Sequence, residues 1–215
     1  MVTGTRGIPG VMGGVETHCE ELFPRLAERG WDVTVVRRSN YVEDGLKEWK
    51  GVRLVTLPSP KKKSFEAIIH TFRAINEARR LGANILHIHA IGPALLVPYA
   101  KVLGMKVVFT HHGPDYDRDK WGLAAKTMLK LGERMGCMFA DDVIVISDVI
   151  RNLISRKYGR TNRVHLYIME CRDRKCAIFL NISRNWVSRK EGTFWACAAS
   201  SPKRTCIILC KHLPG

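Results

Sequence analysis

Three stretches of this chain carry residues suited to chemistry. The first is the glycine-rich run Gly4-Thr-Arg-Gly-Ile-Pro-Gly-Val-Met-Gly-Gly-Val-Glu-Thr-His18. Glycines let backbone N–H groups close on an anion, and a helix starting near Gly14 would aim its positive end at the same place. The run is not a P-loop, because no Gly-Lys-Ser/Thr follows, and it contains no Gly-x-Gly-x-x-Gly. The acidic residue that would hold an NAD ribose is also missing, since the second expected strand ends in Arg37-Arg38. Those arginines suit a ribose 2′-phosphate, which keeps an NADP-binding oxidoreductase open as a rival. The bland alternative for the loop is a flexible surface turn.

The second and third stretches are His87-Ile-His89 and His111-His112-Gly113-Pro-Asp115, each closing an expected strand. Strand alternation puts His87 and His89 on one side, and His111 and His112 on opposite sides. Histidine titrates near neutrality, so at least one is expected to be a polar substrate contact or an acid/base. The others are expected to be hydrogen-bonded structural groups. Their spacing matches no recognised zinc motif, and no metal is assigned.

These stretches need a scaffold that brings strand ends together. Short β-branched or apolar runs at Val33–Val36, Val52–Leu57, Asn84–Ala90, Lys106–Thr110 and Val143–Ile146 read as strands. Between them, helices are expected from Val15 to Gly30, along Phe65, Ile68, Ile69, Phe72 and Ile75, over Ala94–Leu103 and over Trp121–Phe139. Ser147 or Asp148 caps a last one. Alternating strands and helices imply an α/β fold, a doubly wound, mostly parallel sheet of Rossmann-like type. Ligands of such sheets sit beyond the carboxyl ends of the strands, where all three stretches fall.

The 215 residues carry a net charge of +15, with 46% hydrophobic and 26% charged residues, which suits a globular chain. No apolar run reaches the roughly 18–20 residues of a membrane span, and no leader is evident, so a cytoplasmic protein with reduced thiols is expected. Residues 1–166 hold 26 basic and 17 acidic side chains, whereas residues 167–215 hold nine and three. Five of the seven cysteines also fall after residue 166, which marks a boundary there. Lys61-Lys62-Lys63 and the series Lys126, Lys130 and Arg134 make basic faces. Solvated helix surfaces are the ordinary explanation, and contact with anionic lipid headgroups is the functional one. Nucleic acid is not expected, because no aromatics are interleaved with these residues.

Thr3-Gly-Thr-Arg-Gly-Ile-Pro9, Gly13-Gly-Val-Glu-Thr17, Leu26-Ala-Glu-Arg-Gly30 and Val33-Thr-Val resemble the opening of family 4 glycosyltransferases. Thr110-His-His-Gly113 and Val145-Ile-Ser147 resemble later landmarks of that family. The resemblance covers residues 1–166 and implies the amino-terminal, acceptor-side half of a GT-B fold. It implies retaining, metal-independent transfer of a sugar from a nucleotide-sugar to a saccharide or lipid-linked acceptor in surface polysaccharide assembly. No cofactor is expected beyond the nucleotide-sugar substrate. By the same resemblance, backbone at Gly13 and Gly14 approaches the donor diphosphate and His112 contacts the donor sugar near the reacting centre. Arg6, Glu16, His18 and Asp115 line the acceptor side.

The chain departs from the family pattern at both ends. Only Met1-Val2-Thr3 precede the glycine loop, where relatives have a longer apolar strand, so the start reads as late and the central sheet as weakened. Residues 167–215 show no helical or strand period. Joining the third base of each codon to the first two of the next lets Leu166 to Cys171 encode Ile-Tyr-Asn-Gly-Val. In the same frame Asn185 to Pro214 can encode a run containing Arg-Phe-Val-Pro-Glu-Lys, which resembles the family's second-domain signature. The expectation is a frameshift near codon 166, a poorly structured tail exposing Trp186, Trp195 and five thiols, and a chain inactive for want of a donor domain. The alternative is a non-catalytic fragment that keeps an acceptor or membrane contact.

Overall fold

The computed structural model describes residues 1–42, 45–60, 63–117, 121–170, 177–180, 193–199 and 206–212, with residues 63, 64 and those beyond 167 described by backbone alone. Strand β1 (Val2–Thr3) leads through the glycine loop into helix α1 (Gly14–Ala27). Then come β2 (Thr34–Arg38), β3 (Glu48–Trp49), β4 (Val52–Leu57) and α2 (Lys63–Arg80). The chain continues through β5 (Ile85–His89), α3 (Val97–Val102), β6 (Lys106–His111), α4 (Leu123–Phe139), β7 (Asp142–Val145), α5 (Asp148–Tyr158) and β8 (Val164–Glu170). Strand β9 (Ala177–Leu180) and a β10 (Thr193–Ala199) and β11 (Cys206–His212) pair complete the described elements.

Nine strands form one sheet in the order β3-β4-β2-β1-β5-β6-β7-β8-β9. Pairing is parallel except at the two edges, where β3 runs against β4 and β9 against β8. The strand order reverses direction at β1, which lies between β2 and β5. A doubly wound sheet opens its ligand crevice at such a point. This is the expected α/β Rossmann-like architecture.

Alternation along β5 shows how both faces are covered. Leu86 and Ile88 enter an apolar core with Ile75 of α2, Phe109 of β6, Leu129 and Cys137 of α4 and Ile154 of α5. His87 and His89 point the other way and meet the Phe23 ring of α1 at 5.8 and 5.7 Å. Helix α4 lies close on its neighbours because Gly132 and Gly136 lack side chains. A Cβ at Gly132 would strike the Ile91 carbonyl, and one at Gly136 would come within 2.8 Å of the Phe109 ring.

Several sequence expectations need correcting. Only one end of the α2 stripe reaches the core, since Ile75 is buried with Ala74 and Ala78 whereas Phe65, Ile69 and Phe72 are exposed. Phe72 instead stacks on the Tyr99 ring at 5.1 Å. The helix expected over Ala94–Leu103 is broken into a 3₁₀ turn, Pro93–Leu96, and the short α3. Pro98 explains the break, because it offers no N–H to continue the preceding turn. Pro24, by contrast, is accommodated inside α1. Ser147 is the cap of α5, its Oγ accepting from the Ile150 N–H at 3.3 Å.

Strand β1 is short, with Val2 paired to Val35 and His87, and Thr3 to Ile88. The Met1 ammonium donates to the Ile85 carbonyl at 2.8 Å, and burial lowers its pKa to about 6. An apolar cavity of about 360 Å³, lined by Leu22, Phe23, Trp31, Val33, Ile85 and His87 among others, opens at this amino end of the strands. It lies at the opposite end of the sheet from the glycine loop and His111-His112, with His87 on its wall.

In the tail, β9, β10 and β11 form antiparallel pairs through runs rich in β-branched and aromatic residues, such as Thr193-Phe-Trp and Ile207-Ile-Leu. The side chains of Trp186, Trp195 and the five tail cysteines, expected to stay unpacked, lie outside the description. Among the described residues no helix is long and apolar enough to cross a membrane.

Candidate functional site at the carboxyl ends of β1, β5 and β6

The glycine loop is built into the sheet edge. Gly4 has φ +95°, and a Cβ there would run into the His89 backbone, so the chain leaves β1 pressed against the end of β5. The loop then folds back on α1 through one carboxylate. Glu16 accepts from the Arg6 backbone N–H at 3.0 Å, from Arg6 Nε at 3.1 Å and from Arg6 Nη2 at 3.0 Å. Thr5 Oγ1 adds a contact at 3.4 Å. Arg6 Nη2 also donates to the Met12 carbonyl at 2.7 Å, and the Arg6 carbonyl accepts from the Arg38 N–H at 2.9 Å.

Burial works to raise the Glu16 pKa, yet the Arg6 hydrogen bonds hold it below the usual carboxylate value. A charged, bidentate pair at 4% exposure of its acid is a fixed brace. This geometry favours a pre-formed loop over a flexible turn. It gives Arg6 and Glu16 to each other, with part of the Arg6 side chain still open to solvent. Gly13 has φ +150°, and a Cβ there would strike both members of the pair. Its carbonyl accepts from the Thr17 N–H at 2.8 Å and starts α1.

Four histidines meet beside this loop. His18, on the first turns of α1, packs edge-on to His112 at 5.1 Å, to His89 at 5.6 Å and to Tyr167 at 4.9 Å. His87 and His89 lie 4.2 Å apart on one side of β5, as alternation requires. Strands β5 and β6 are neighbours, so His89 Nδ1 reaches His112 Nε2 at 3.0 Å and His87 Nε2 reaches the Thr110 hydroxyl at 2.7 Å. Burial lowers the pKa of His18 to about 4 and of His112 to about 3, and carries His87 and His89 well below the ordinary value. The cluster is therefore neutral at pH 7.

His111 points to the opposite side and does structural work. The Gly113 N–H donates to its Nδ1 at 3.1 Å, so its proton sits on Nε2 and is given to Glu133 Oε1 at 3.0 Å. Glu133 is fully buried and also accepts from the hydroxyls of Tyr116 and Tyr158 and from Lys157 Nζ at 2.6 Å. Burial would raise its pKa, but the bonds from His111, Lys157 and Tyr158 bring it to about 2. This network anchors the segment carrying His112 and Asp115 to α4 and α5. Asp115 itself opens a short 3₁₀ turn, Asp115–Asp117, and is half-buried.

Sequence reasoning missed Glu133. The available signal was an acid inside the apolar stripe of α4, in step with Leu129 and Cys137. It also read Arg37-Arg38 as ligand groups. Arg37 is buried and donates to the Leu46 carbonyl at 2.8 Å and to Thr56 Oγ1 at 3.0 Å. Arg38 is buried and pairs with Glu66 at 3.6 Å. Both arginines serve the fold, which removes the feature that favoured an NADP-binding oxidoreductase. Among the described residues no group of three His, Cys, Asp or Glu side chains is arranged to hold a metal ion.

The model of Glycosyltransferase Family 4 matches residues 12–166. The chain belongs to glycosyltransferase family 4. Its fold is shared by sucrose-phosphate synthase from Thermosynechococcus elongatus, with TM-score 0.59 and 18% identity over 78% of this chain and 47% of that one. It is also shared by HepE of Anabaena, solved in complex with UDP, with TM-score 0.55 and 12% identity over 78% of this chain and 42% of that one. The family 4 chain thus spans less than half the length of either structure. No curated protein matches it.

The neutral histidines link stability to pH. In the unfolded chain His18, His87, His89 and His112 take up protons near pH 6.5, whereas in the fold they stay neutral to much lower pH. Their folded pKa values are depressed, so their contribution is complete above about pH 6.5 and is lost as pH falls toward 4. Urea midpoints measured from pH 7.5 to 4.5 are expected to drop steeply below pH 6.5. A flat profile over that interval would contradict the burial of this cluster.

Proposed function

We propose that residues 1–166 form the acceptor-side domain of a retaining, metal-independent glycosyltransferase. It moves a sugar from a nucleotide-sugar to a saccharide or lipid-linked acceptor in surface polysaccharide assembly, at the cytoplasmic side of a membrane. The observation that carries this reading is the braced glycine loop beside His18 and His112 at the carboxyl edge, in a chain of family 4. In the reaction, the bond from the anomeric carbon to the diphosphate breaks and the diphosphate leaves with the electron pair. The acceptor hydroxyl oxygen bonds to the same carbon and gives its proton to the departing diphosphate. Amides at Gly13 and Gly14 face the diphosphate, and His112 faces the donor sugar, so both meet charge as it develops. His18, Arg6, Glu16 and Asp115 shape the acceptor side. HepE, a structural neighbour solved with UDP, supports a nucleotide-linked donor.

Residues 167–215 are read as the product of a shifted frame, and the donor domain as encoded in the other frame. Residues 1–215 alone are then expected to transfer little or no sugar. Sequencing across codon 166 and beyond, followed by joining the frames and assaying a panel of nucleotide-sugars, tests this. The joined protein is expected to transfer sugar, and His112→Ala to lower its rate by about 10²–10³-fold, the scale of losing one group that stabilises developing charge. A shifted frame that is closed, or a folded joined protein with no transfer, would overturn the proposal.

Helix α4 exposes Leu123 and Leu131 next to Lys130 and Arg134, with Lys126 half-buried on the same helix. Apolar side chains among cations suit the surface of an anionic bilayer. Charge reversal of Lys126, Lys130 and Arg134 is expected to abolish sedimentation with phosphatidylserine-containing vesicles. Unchanged binding would remove this face from the account.

A further inference from the structure

We infer that His89 is a positioning residue that fixes the tautomer of His112, so that His112 meets an oxygen of its ligand as an Nδ1–H donor. The identity of that ligand rests on the transfer reading above; the tautomer does not.

Two neutral imidazoles joined by one nitrogen–nitrogen hydrogen bond hold a single proton between them. Here the line runs from His89 Nδ1 to His112 Nε2 over 3.0 Å. Either ring can be the donor, and the two choices differ at the far nitrogen of His89. That nitrogen, Nε2, is buried and has no hydrogen-bond partner. The rings packed against His89 are Phe23, at 85° to its plane, His18, at 61°, and His87, tilted by 32° with centroids 4.2 Å apart. None of them provides a hydrogen-bond partner to that nitrogen.

If His112 were the donor, the proton of His89 would have to sit on Nε2 as a buried N–H without an acceptor. Orphaned buried N–H groups are the rarest kind of unpaired polar group. If His89 is the donor, Nε2 is a bare ring nitrogen, and every N–H of the pair has a partner or faces the cleft. The second arrangement is the one the site can hold. It leaves Nε2 of His112 as acceptor and puts the remaining proton of His112 on Nδ1. Free neutral imidazole favours the other tautomer, so the preference comes from His89.

Burial holds both rings below their ordinary pKa, His112 at about 3, so neither becomes an imidazolium at pH 7. His112 is then a neutral hydrogen-bond donor to a hydroxyl or phosphoryl oxygen. A neutral imidazole can polarise such an oxygen without surrendering its proton.

The test is a long-range proton–nitrogen correlation spectrum of the ¹⁵N-labelled full chain at pH 7.5, with no ligand. The expected wild-type pattern is a protonated Nδ1 and a bare Nε2 for His112, with the same pattern for His89. In His89→Phe, which keeps the ring but cannot donate, His112 is expected to lose the Nδ1–H pattern and gain Nε2–H. In His89→Gln, whose amide can donate to Nε2, the Nδ1–H pattern is expected to return. A wild-type His112 protonated on Nε2, or an Nδ1–H pattern that survives in His89→Phe, overturns the inference. Should His89→Phe fail to fold, the wild-type spectrum and His89→Gln still decide it. Failure of sugar transfer in the frame-joined protein, with the tautomer as stated, would count against the transfer reading alone.

Discussion

One buried carboxylate makes the edge of this sheet into a site. Glu16 receives the backbone and guanidinium N–H groups of Arg6 and a contact from Thr5. A glycine-rich loop of this length has many conformations to lose, at about 1–2 kcal/mol per residue ordered. Hydrogen bonds to a charged acceptor contribute about 1.5–3 kcal/mol each, and here several converge on one group. The brace also sets where α1 begins, and so where His18 stands relative to His112. Without it the loop glycines would be only flexible links.

A second buried carboxylate does the same for the other half of the cleft. Glu133 ties His111 to α4, and Tyr158 and Lys157 of α5 close on it. Adjacent histidines at the end of β6 therefore divide their tasks. His111 is held in the scaffold, and His112 is left on the cleft side with His18 and His89. The division follows from strand alternation, because neighbouring side chains must leave on opposite faces. Between the two carboxylates lies a layer of neutral imidazoles set where a Rossmann-like core is usually apolar. Its neutrality is a product of burial, and its order comes from bonds to Thr110 and within the cluster.

Much of this was legible in the residues. The alternation of strands and helices gave the sheet, and the rule that ligands sit beyond strand ends picked the glycine loop, His87-Ile-His89 and His111-His112. What escaped depends on contacts between distant residues. Arg37 and Arg38 look like ligand groups until Leu46, Thr56 and Glu66 are seen beside them. Glu133 stands in the apolar stripe of α4, but its four donors come from β6, the Asp115–Asp117 turn and α5. Phe65 and Phe72 look like core residues, but α2 turns its small residues Ala74 and Ala78 inward. The family match over residues 12–166 agrees with the motifs, and the fold shared with two solved structures covers less than half of each.

We propose that the braced loop and the neutral histidines form a nucleotide-sugar cleft. Chemical-shift mapping of the ¹⁵N-labelled chain with millimolar UDP-sugar addresses it most directly, because weak binding by one domain still moves the amides it touches. The account predicts shifts clustered at Gly13, Gly14, His18 and His112. Shifts confined to the opposite end of the sheet, around Trp31, Val33 and Ile85, or the absence of any shift across the donor panel, would contradict it.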